Sequence, residues 1–304
     1  MKKTVYLALV FLTLGVHAQD KVIKLYEGVI PNSKQAVDYN EIIDVSKDKS
    51  IRIKKIIDPE LLVYYPKKEK ANGTAVLICP GGGYGYVSMT NEGYEIAQKL
   101  IDNGFTAFIL KYRLPSDEIM DDKTIGPLQD TQQAIKIIRE EAAVHHIDTS
   151  KLGIMGFSAG GHLASTTGTH FNQVVIDNPN KTNLRPDFMV LVYPVISFGK
   201  FQHKGTRTHL IGGNPTEEMT RLYSNEFQVN EETPMTFLVH ALDDKVVPFQ
   251  NSVAFLEALN INGVKSEMHL YQEGGHGFGL NIRSTKESWF DSMLNWLSSN
   301  KLIP

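Results

Sequence analysis

A single cysteine, Cys79, stands in 304 residues. No intrachain disulfide can form, so the fold must rest on its own core, and small disulfide-stapled modules are excluded. Basic residues are not in excess. The 31 Lys and Arg against 34 Asp and Glu leave a net charge of −3, which argues against nucleic acid as a partner, because phosphate-binding surfaces are usually basic. Beyond the first 18 residues no apolar run approaches the roughly 20 residues that a bilayer span needs, so no stable membrane insertion is expected of the mature chain. Internal repeats, low-complexity tracts and Pro/Ser-rich linkers are also missing. One domain is the default at this length.

The first 18 residues have the pattern of an export signal. Lys2 and Lys3 precede an apolar stretch, Val5 to Val16, and Val16-His17-Ala18 is a small-residue cleavage site. The stretch is short for a span and right for a signal peptide over 1–18, leaving a mature domain over 19–304. Without Lys2 and Lys3, 29 basic residues face 34 acidic ones, a net charge of −5. The expected location is the periplasm or the exterior.

From about Ile51 the chain alternates between strand and helix periods. Ile51 to Ile57 and Leu61 to Tyr65 read as an antiparallel pair joined at Asp58-Pro59. Strands are expected at Thr74 to Cys79, Thr106 to Tyr112, Leu152 to Phe157, Phe188 to Val195, Thr236 to His240 and Ser266 to Leu270. Helices are expected at Tyr94 to Asn103, Gly126 to His145, His162 to Thr169, Ser252 to Asn260 and Lys286 to Ser299. Strands separated by helices of this length imply a doubly wound, mostly parallel α/β sheet with helices on both faces. The polar segment from Ser197 to Glu231 interrupts this rhythm, and is expected to be an insertion near the site, a cap or a substrate wall.

Gly156-Phe157-Ser158-Ala159-Gly160 fits the G-x-S-x-G nucleophile elbow, with an apolar strand before it and a helix after it. A serine nucleophile needs a base, and the base an orienting acid, in the chain order Ser, Asp or Glu, His. His276, in Gly274-Gly275-His276-Gly277-Phe278, is the expected base. Two carboxylates compete for the acid. Asp244 is preferred, four residues past His240 and just before Val247-Pro248; Asp243 is read as a bystander able to cap a turn. The oxyanion hole should combine the N–H of Ala159 with those of Gly82 and Gly83, in the loop Pro80-Gly81-Gly82-Gly83-Tyr84. Tyr84 and Tyr86 follow directly and are expected to line an acyl or sugar pocket.

Other polar residues are expected to be structural. His162 should pack or hydrogen-bond within the elbow helix, Arg113 and Asp130 should pair behind the site, and Cys79 should be a buried strand residue. The glycines of the oxyanion loop lack the Gly-Lys-Ser/Thr of a phosphate loop. His145 and His146, being adjacent, point different ways, and no other set has ligand spacing, so neither metal nor cofactor is expected.

These motifs resemble the α/β-hydrolase esterases grouped as bifunctional feruloyl and acetyl-xylan esterases, neighbours of the hormone-sensitive-lipase-like enzymes. The resemblance rests on Val76 through Tyr84, Leu110 through Leu114, Gly156 through His162, His240 through Pro248 and Gly274 through Phe278, with the lead-in Leu25-Tyr26-Glu27-Gly28. It implies an α/β-hydrolase fold, Ser158, Asp244 and His276 as the triad, and removal of acetyl or feruloyl groups from plant polysaccharides, an acylated carbohydrate being the substrate. Met235 departs from it where a second proline would follow Pro234. A peptidase of the prolyl-oligopeptidase kind shares the elbow and the triad order, but the chain has no room for the propeller such enzymes usually carry. A non-catalytic binding protein on the same scaffold would typically have lost a triad member, and all three are present.

Overall fold

A computed structural model describes residues 19–304; the expected leader lies outside the described residues. The strands run in chain order as β1 (Lys21–Lys24), β2 (Ile42–Val45), β3 (Ile51–Lys54), β4 (Glu60–Tyr64), β5 (Ala75–Cys79), β6 (Val87–Ser88), β7 (Thr106–Lys111), β8 (Leu152–Phe157), β9 (Phe188–Val192), β10 (Met235–Ala241) and β11 (Ser266–Tyr271). The helices are α1 (Glu95–Asp102), α2 (Gly126–Glu140), α3 (Ala159–Thr169), α4 (Lys204–Ile211), α5 (Glu217–Leu222), α6 (Gln250–Ile261) and α7 (Trp289–Ser299).

Eight strands make the main sheet, in the order β1-β4-β7-β5-β8-β9-β10-β11. The β1/β4 and β4/β7 pairs are antiparallel and the rest are parallel. Helices flank the sheet, as in the α/β-hydrolase fold. Strands β5, β7, β8 and β9 are buried along their whole length, which requires cover on both faces. This is why Ala75-Val76-Leu77-Ile78 shows no polar alternation. Helix α3 is buried at every position, lying against β8 and β9 with α2 beside it. Its many small residues allow that close approach.

The pairing expected between Ile51–Ile57 and Leu61–Tyr65 does not occur. Strand β3 joins β2 and β6 in a separate three-stranded antiparallel sheet. Strand β4 instead pairs with β1, Lys21 to Lys24 standing opposite Val63 to Glu60. Burial explains the exchange. Leu61, Leu62, Val63 and Tyr64 are buried in succession and need neighbours on both edges, whereas Arg52 in β3 faces solvent. Lys55, at φ 52°, turns the chain between the two sheets.

Register positions the chemistry. In the parallel β5/β8 pair Cys79 lies opposite Gly156, so the loop after β5 emerges beside the turn after β8. In the β10/β11 pair Ala241 lies opposite Tyr271, so two more loops leave side by side at the same edge. All four are carboxyl ends of parallel strands, where open α/β sheets place ligands.

Candidate active site

Ser158 follows β8 directly, at φ 52° and ψ −118°, and α3 begins at the next residue. The flanking positions admit only glycine. A Cβ on Gly156 would lie 2.2 Å from the Gly160 carbonyl oxygen, and one on Gly160 would lie 2.0 Å from that of Cys79. The turn therefore brings the serine to within hydrogen-bond reach of His276, whose Nε2 is 2.8 Å from Ser158 Oγ. His276 Nδ1 is 2.7 Å from Asp244 Oδ2. Next to a carboxylate Nδ1 carries the proton, which leaves the Nε2 lone pair facing the serine hydroxyl.

Asp244 is buried and saturated with donors. Its Oδ1 accepts from the N–H groups of Val246 and Val247, each at 2.9 Å. Its Oδ2 accepts from His276 and, at 3.2 Å, from His240 Nε2. The His240 tautomer is set by its surroundings: Nε2 also faces the Val247 carbonyl at 3.0 Å, so it must be the donor, while Nδ1 lies 2.8 Å from the Ser252 hydroxyl. Burial alone would raise the Asp244 carboxyl. The hydrogen bonds from His240 and His276, the imidazole charge and the Val247 N–H outweigh it and hold the group well below the usual carboxylate range. Asp243 has a different task from capping its own turn. Its Oδ1 accepts from Gly274 N–H and Gly275 N–H, each at 2.8 Å, and so ties down the loop that carries His276.

Gly82 and Gly83 lie at the floor of the cleft beside Ser158 and His276. Among the described residues neither N–H has a protein acceptor, whereas the preceding Gly81 N–H is bound to Glu92 at 2.8 Å. Ala159 opens α3, where a backbone N–H has no partner within the helix. Three unspent donors thus border the serine.

Tyr84 does not line this cleft. Successive positive φ values at Gly82, Gly83 and Tyr84 turn its ring inward. It is 2% exposed, its hydroxyl lies 3.0 Å from His162 Nδ1, and its ring packs edge-on against Tyr112. Tyr86 does reach the wall, with the Arg52 guanidinium 5.0 Å above its ring. The cleft has a volume of about 1330 Å³ and a largely polar lining, contributed in part by Arg52, Tyr86, His203, His209, Glu273 and Arg283.

The Ser197-to-Glu231 segment carries α4, α5 and a 3₁₀ turn at Asn225–Phe227. Its base is fastened to α3: the Asn225 side chain donates to the His162 carbonyl and to Ser165 and Thr166. His162 donates from Nε2 to the Tyr223 carbonyl and stacks on Phe198 with ring centroids 4.3 Å apart. At the other end His209 Nδ1 lies 2.7 Å from the Gly83 carbonyl. Behind the site Arg113 grips Asp130 in a buried pair at 2.7 Å, and Cys79 is buried in β5, where burial pushes its thiol up.

Residues 61–259 match the family model described as BD-FAE. The chain belongs to the BD-FAE family. This BD-FAE member is 35% identical over 222 residues to endo-1,4-beta-xylanase B of Butyrivibrio fibrisolvens, covering 72% of this chain and 34% of that protein. It is 35% identical over 243 residues to an acetylxylan esterase of Xylanibacter ruminicola, covering 76% and 46%. The chain thus spans a third to a half of these curated relatives. Among solved structures it is similar to an acetyl ester-xyloside bifunctional hydrolase from Caldicellulosiruptor lactoaceticus, with a TM-score of 0.77, 32% identity, and coverage of 94% and 98%.

Several cleft residues of this BD-FAE chain escape sequence reasoning. His203 is the N-cap of α4: its Nδ1 accepts from Thr206 N–H at 3.2 Å. The ring proton is therefore on Nε2, and the ring lies against Gly83 in the cleft. Glu92, Tyr193 and Phe278 surround His276 from below, the Tyr193 ring centroid 4.9 Å from the imidazole. Apart from Phe278, which closes the Gly274–Phe278 motif, no motif marks these positions, because each is brought to the site by tertiary packing.

Proposed function

We propose that the chain is an exported serine carboxylesterase that removes acetyl groups from O-acetylated xylan oligosaccharides, with Ser158 as nucleophile, His276 as base and Asp244 as its orienting acid. The observation that carries this reading is the continuous hydrogen-bonded row Asp244–His276–Ser158, whose serine and histidine line a largely polar cleft. The names of the acetylxylan esterase and acetyl ester-xyloside relatives supply the acyl group and the sugar. The leader over 1–18 supplies the export, and the domain over 19–304 includes the α4–α5 insertion as one wall of the cleft.

In this reading His276 Nε2 takes the Ser158 proton as Oγ attacks the ester carbonyl carbon. The carbonyl oxygen becomes an oxyanion that accepts from the N–H groups of Gly82, Gly83 and Ala159; one such donor is worth about 3 kcal/mol in a comparable hole. The imidazolium, stabilised by Asp244, then gives its proton to the departing sugar hydroxyl, leaving acetyl on Ser158. A water enters, loses its proton to His276 and attacks the acyl carbon; the bond from that carbon to Ser158 Oγ then breaks as the His276 imidazolium returns the proton to Oγ, and acetate leaves. The residues supply nucleophile, base, acid and oxyanion donors themselves, and the steps call for no cofactor.

The test is acetate release from acetylated xylo-oligosaccharides, beside p-nitrophenyl acetate and methyl ferulate, by wild type and Ser158→Ala. Release from the oligosaccharides that the variant lacks is expected. Hydrolysis of p-nitrophenyl acetate alone would refute the xylan substrate, and cleavage of methyl ferulate would extend the acyl range to ferulate. Undiminished activity of Ser158→Ala would refute the nucleophile.

A further inference from the structure

A second carboxyl group lies under the site, and no step of acyl transfer uses it. Glu92 is 4% exposed and sits in a single π-helical turn, Thr90–Tyr94, a form that gathers at functional sites. A buried carboxyl is costly unless both oxygens find donors. Here Oε2 accepts from Gly81 N–H at 2.8 Å, and Oε1 accepts from the Tyr193 hydroxyl at 2.9 Å. Burial pushes this carboxyl up, and the two donors oppose that rise. The Tyr193 hydroxyl in turn accepts from Gly279 N–H at 3.2 Å, and its ring lies against His276. The neighbouring Asn91 donates from its side chain to the Gly277 carbonyl at 3.4 Å. One turn thus holds the peptide just ahead of Gly82 and Gly83, and also the chain on the far side of His276.

We propose that Glu92 is a positioning residue that fixes the oxyanion loop relative to the His276 loop, one carboxylate oxygen holding each side. This rests on the Ser158–His276 reading. The chemistry of the contact makes the role specific to a carboxylate. Gly81 N–H can only donate. Tyr193, which accepts from Gly279 N–H, directs its own hydrogen at Glu92. Glutamine has one acceptor oxygen and one NH₂ group: in Glu92→Gln the oxygen can serve Gly81 N–H only if the NH₂ faces the Tyr193 hydroxyl, which must then turn its hydrogen away from the side chain and accept a second bond beside Gly279 N–H. The oxyanion loop or the base loop is then held less firmly, and a misplacement of about 1 Å can cost on the order of 10²-fold in rate.

The experiment is steady-state hydrolysis of p-nitrophenyl acetate by wild type, Glu92→Gln, Tyr193→Phe, the double variant and Ser158→Ala, with circular dichroism to verify folding. For Glu92→Gln, kcat should fall by about 10- to 100-fold while KM changes by less than about 3-fold, because the lost contact aligns the reacting groups and binds no substrate. In the Tyr193→Phe background the glutamine NH₂ no longer faces a hydroxyl, so adding Glu92→Gln should cost less than about 3-fold more, as coupled neighbours do. A folded Glu92→Gln variant with wild-type kcat, beside an inactive Ser158→Ala, overturns the positioning role alone. Losses that multiply independently overturn the link through Tyr193. Should Glu92→Gln not fold, Tyr193→Phe carries the test: a lower kcat at unchanged KM supports the role, and an unchanged kcat overturns it. Full activity in Ser158→Ala overturns both this proposal and the reading beneath it.

Discussion

Replacing Asp244 by asparagine should damage the enzyme far more than the same change at Asp243, and the hydrogen-bond pattern says why. Asp244 Oδ1 faces two backbone donors, Val246 N–H and Val247 N–H. In Asp244→Asn only the amide oxygen can occupy that side, so the NH₂ group must occupy the side facing His276. It would donate to His276 Nδ1 and drive the ring proton to Nε2, where it points at Ser158 and blocks proton transfer. The NH₂ would also meet His240 Nε2–H, which is fixed as a donor by the Val247 carbonyl. A wrong tautomer costs on the order of 10⁴-fold in a comparable triad, equivalent to about 5–6 kcal/mol of lost transition-state stabilisation. In Asp243→Asn the amide oxygen remains an acceptor for Gly274 N–H and Gly275 N–H, so kcat/KM should fall by less than about 10-fold, the scale of one weakened hydrogen bond. Initial rates with p-nitrophenyl acetate at pH 8 measure both. Losses of equal size would refute the reasoning, because they would show that the tautomer of His276 is not set by Asp244.

Burial holds His162 down to about 4 despite its hydrogen bond to the Tyr223 carbonyl. The unfolded chain takes up a proton below about pH 6.5 and the native one does not until about 4, so stability should drop by roughly 1.4 kcal/mol per pH unit across that window, about 3 kcal/mol in all. Denaturant unfolding at pH 7, 6 and 5 should show a shallower pH dependence in His162→Gln than in wild type, and parallel slopes would count against this. Arg113→Met leaves Asp130 buried without its partner and should cost about 3–5 kcal/mol in urea unfolding, with part of it restored by adding Asp130→Leu; a change under about 1 kcal/mol would contradict that. His203→Asn keeps an N-cap acceptor for Thr206 but withdraws the Nε2 donor from the cleft. KM for acetylated xylo-oligosaccharides should rise about 5-fold, the worth of one hydrogen bond, with KM for p-nitrophenyl acetate unchanged, and equal effects on both would remove His203 from sugar recognition.

Apart from β6, α4 and α5, the strands and helices from β5 onward were legible because buried parallel strands write continuous apolar runs, and because the elbow demands glycine at 156 and 160 for reasons of contact distance. The amino-terminal quarter was less so. Strand β1 is only Lys-Val-Ile-Lys at an exposed edge, too short a stretch to stand out, and the partner expected for β3 was wrong because pairing is decided by burial elsewhere in the sheet. Within the site, Ser158, His276 and Asp244 follow from chain order, and the fold brings both Ser158 and Asp244 within hydrogen-bond reach of His276. Tyr84 was expected at the wall because an aromatic ring offers a pocket a flat apolar face with a polar tip; three consecutive positive φ values, invisible in sequence, turn it into the core. The same limit hid Glu92 and His203, whose roles depend on which loops lie beside them.

The backbone at Ser158 has a consequence for engineering. A φ of 52° with a ψ of −118° is a conformation that L-residues avoid, and holding one there costs on the order of 1–3 kcal/mol. Glycine at 158 would relax it, so the inert Ser158→Gly protein should melt above the active one. A library sorted on heat tolerance alone would therefore enrich the chains that have discarded the proposed nucleophile, and directed evolution of this scaffold has to select for turnover and endurance in the same round.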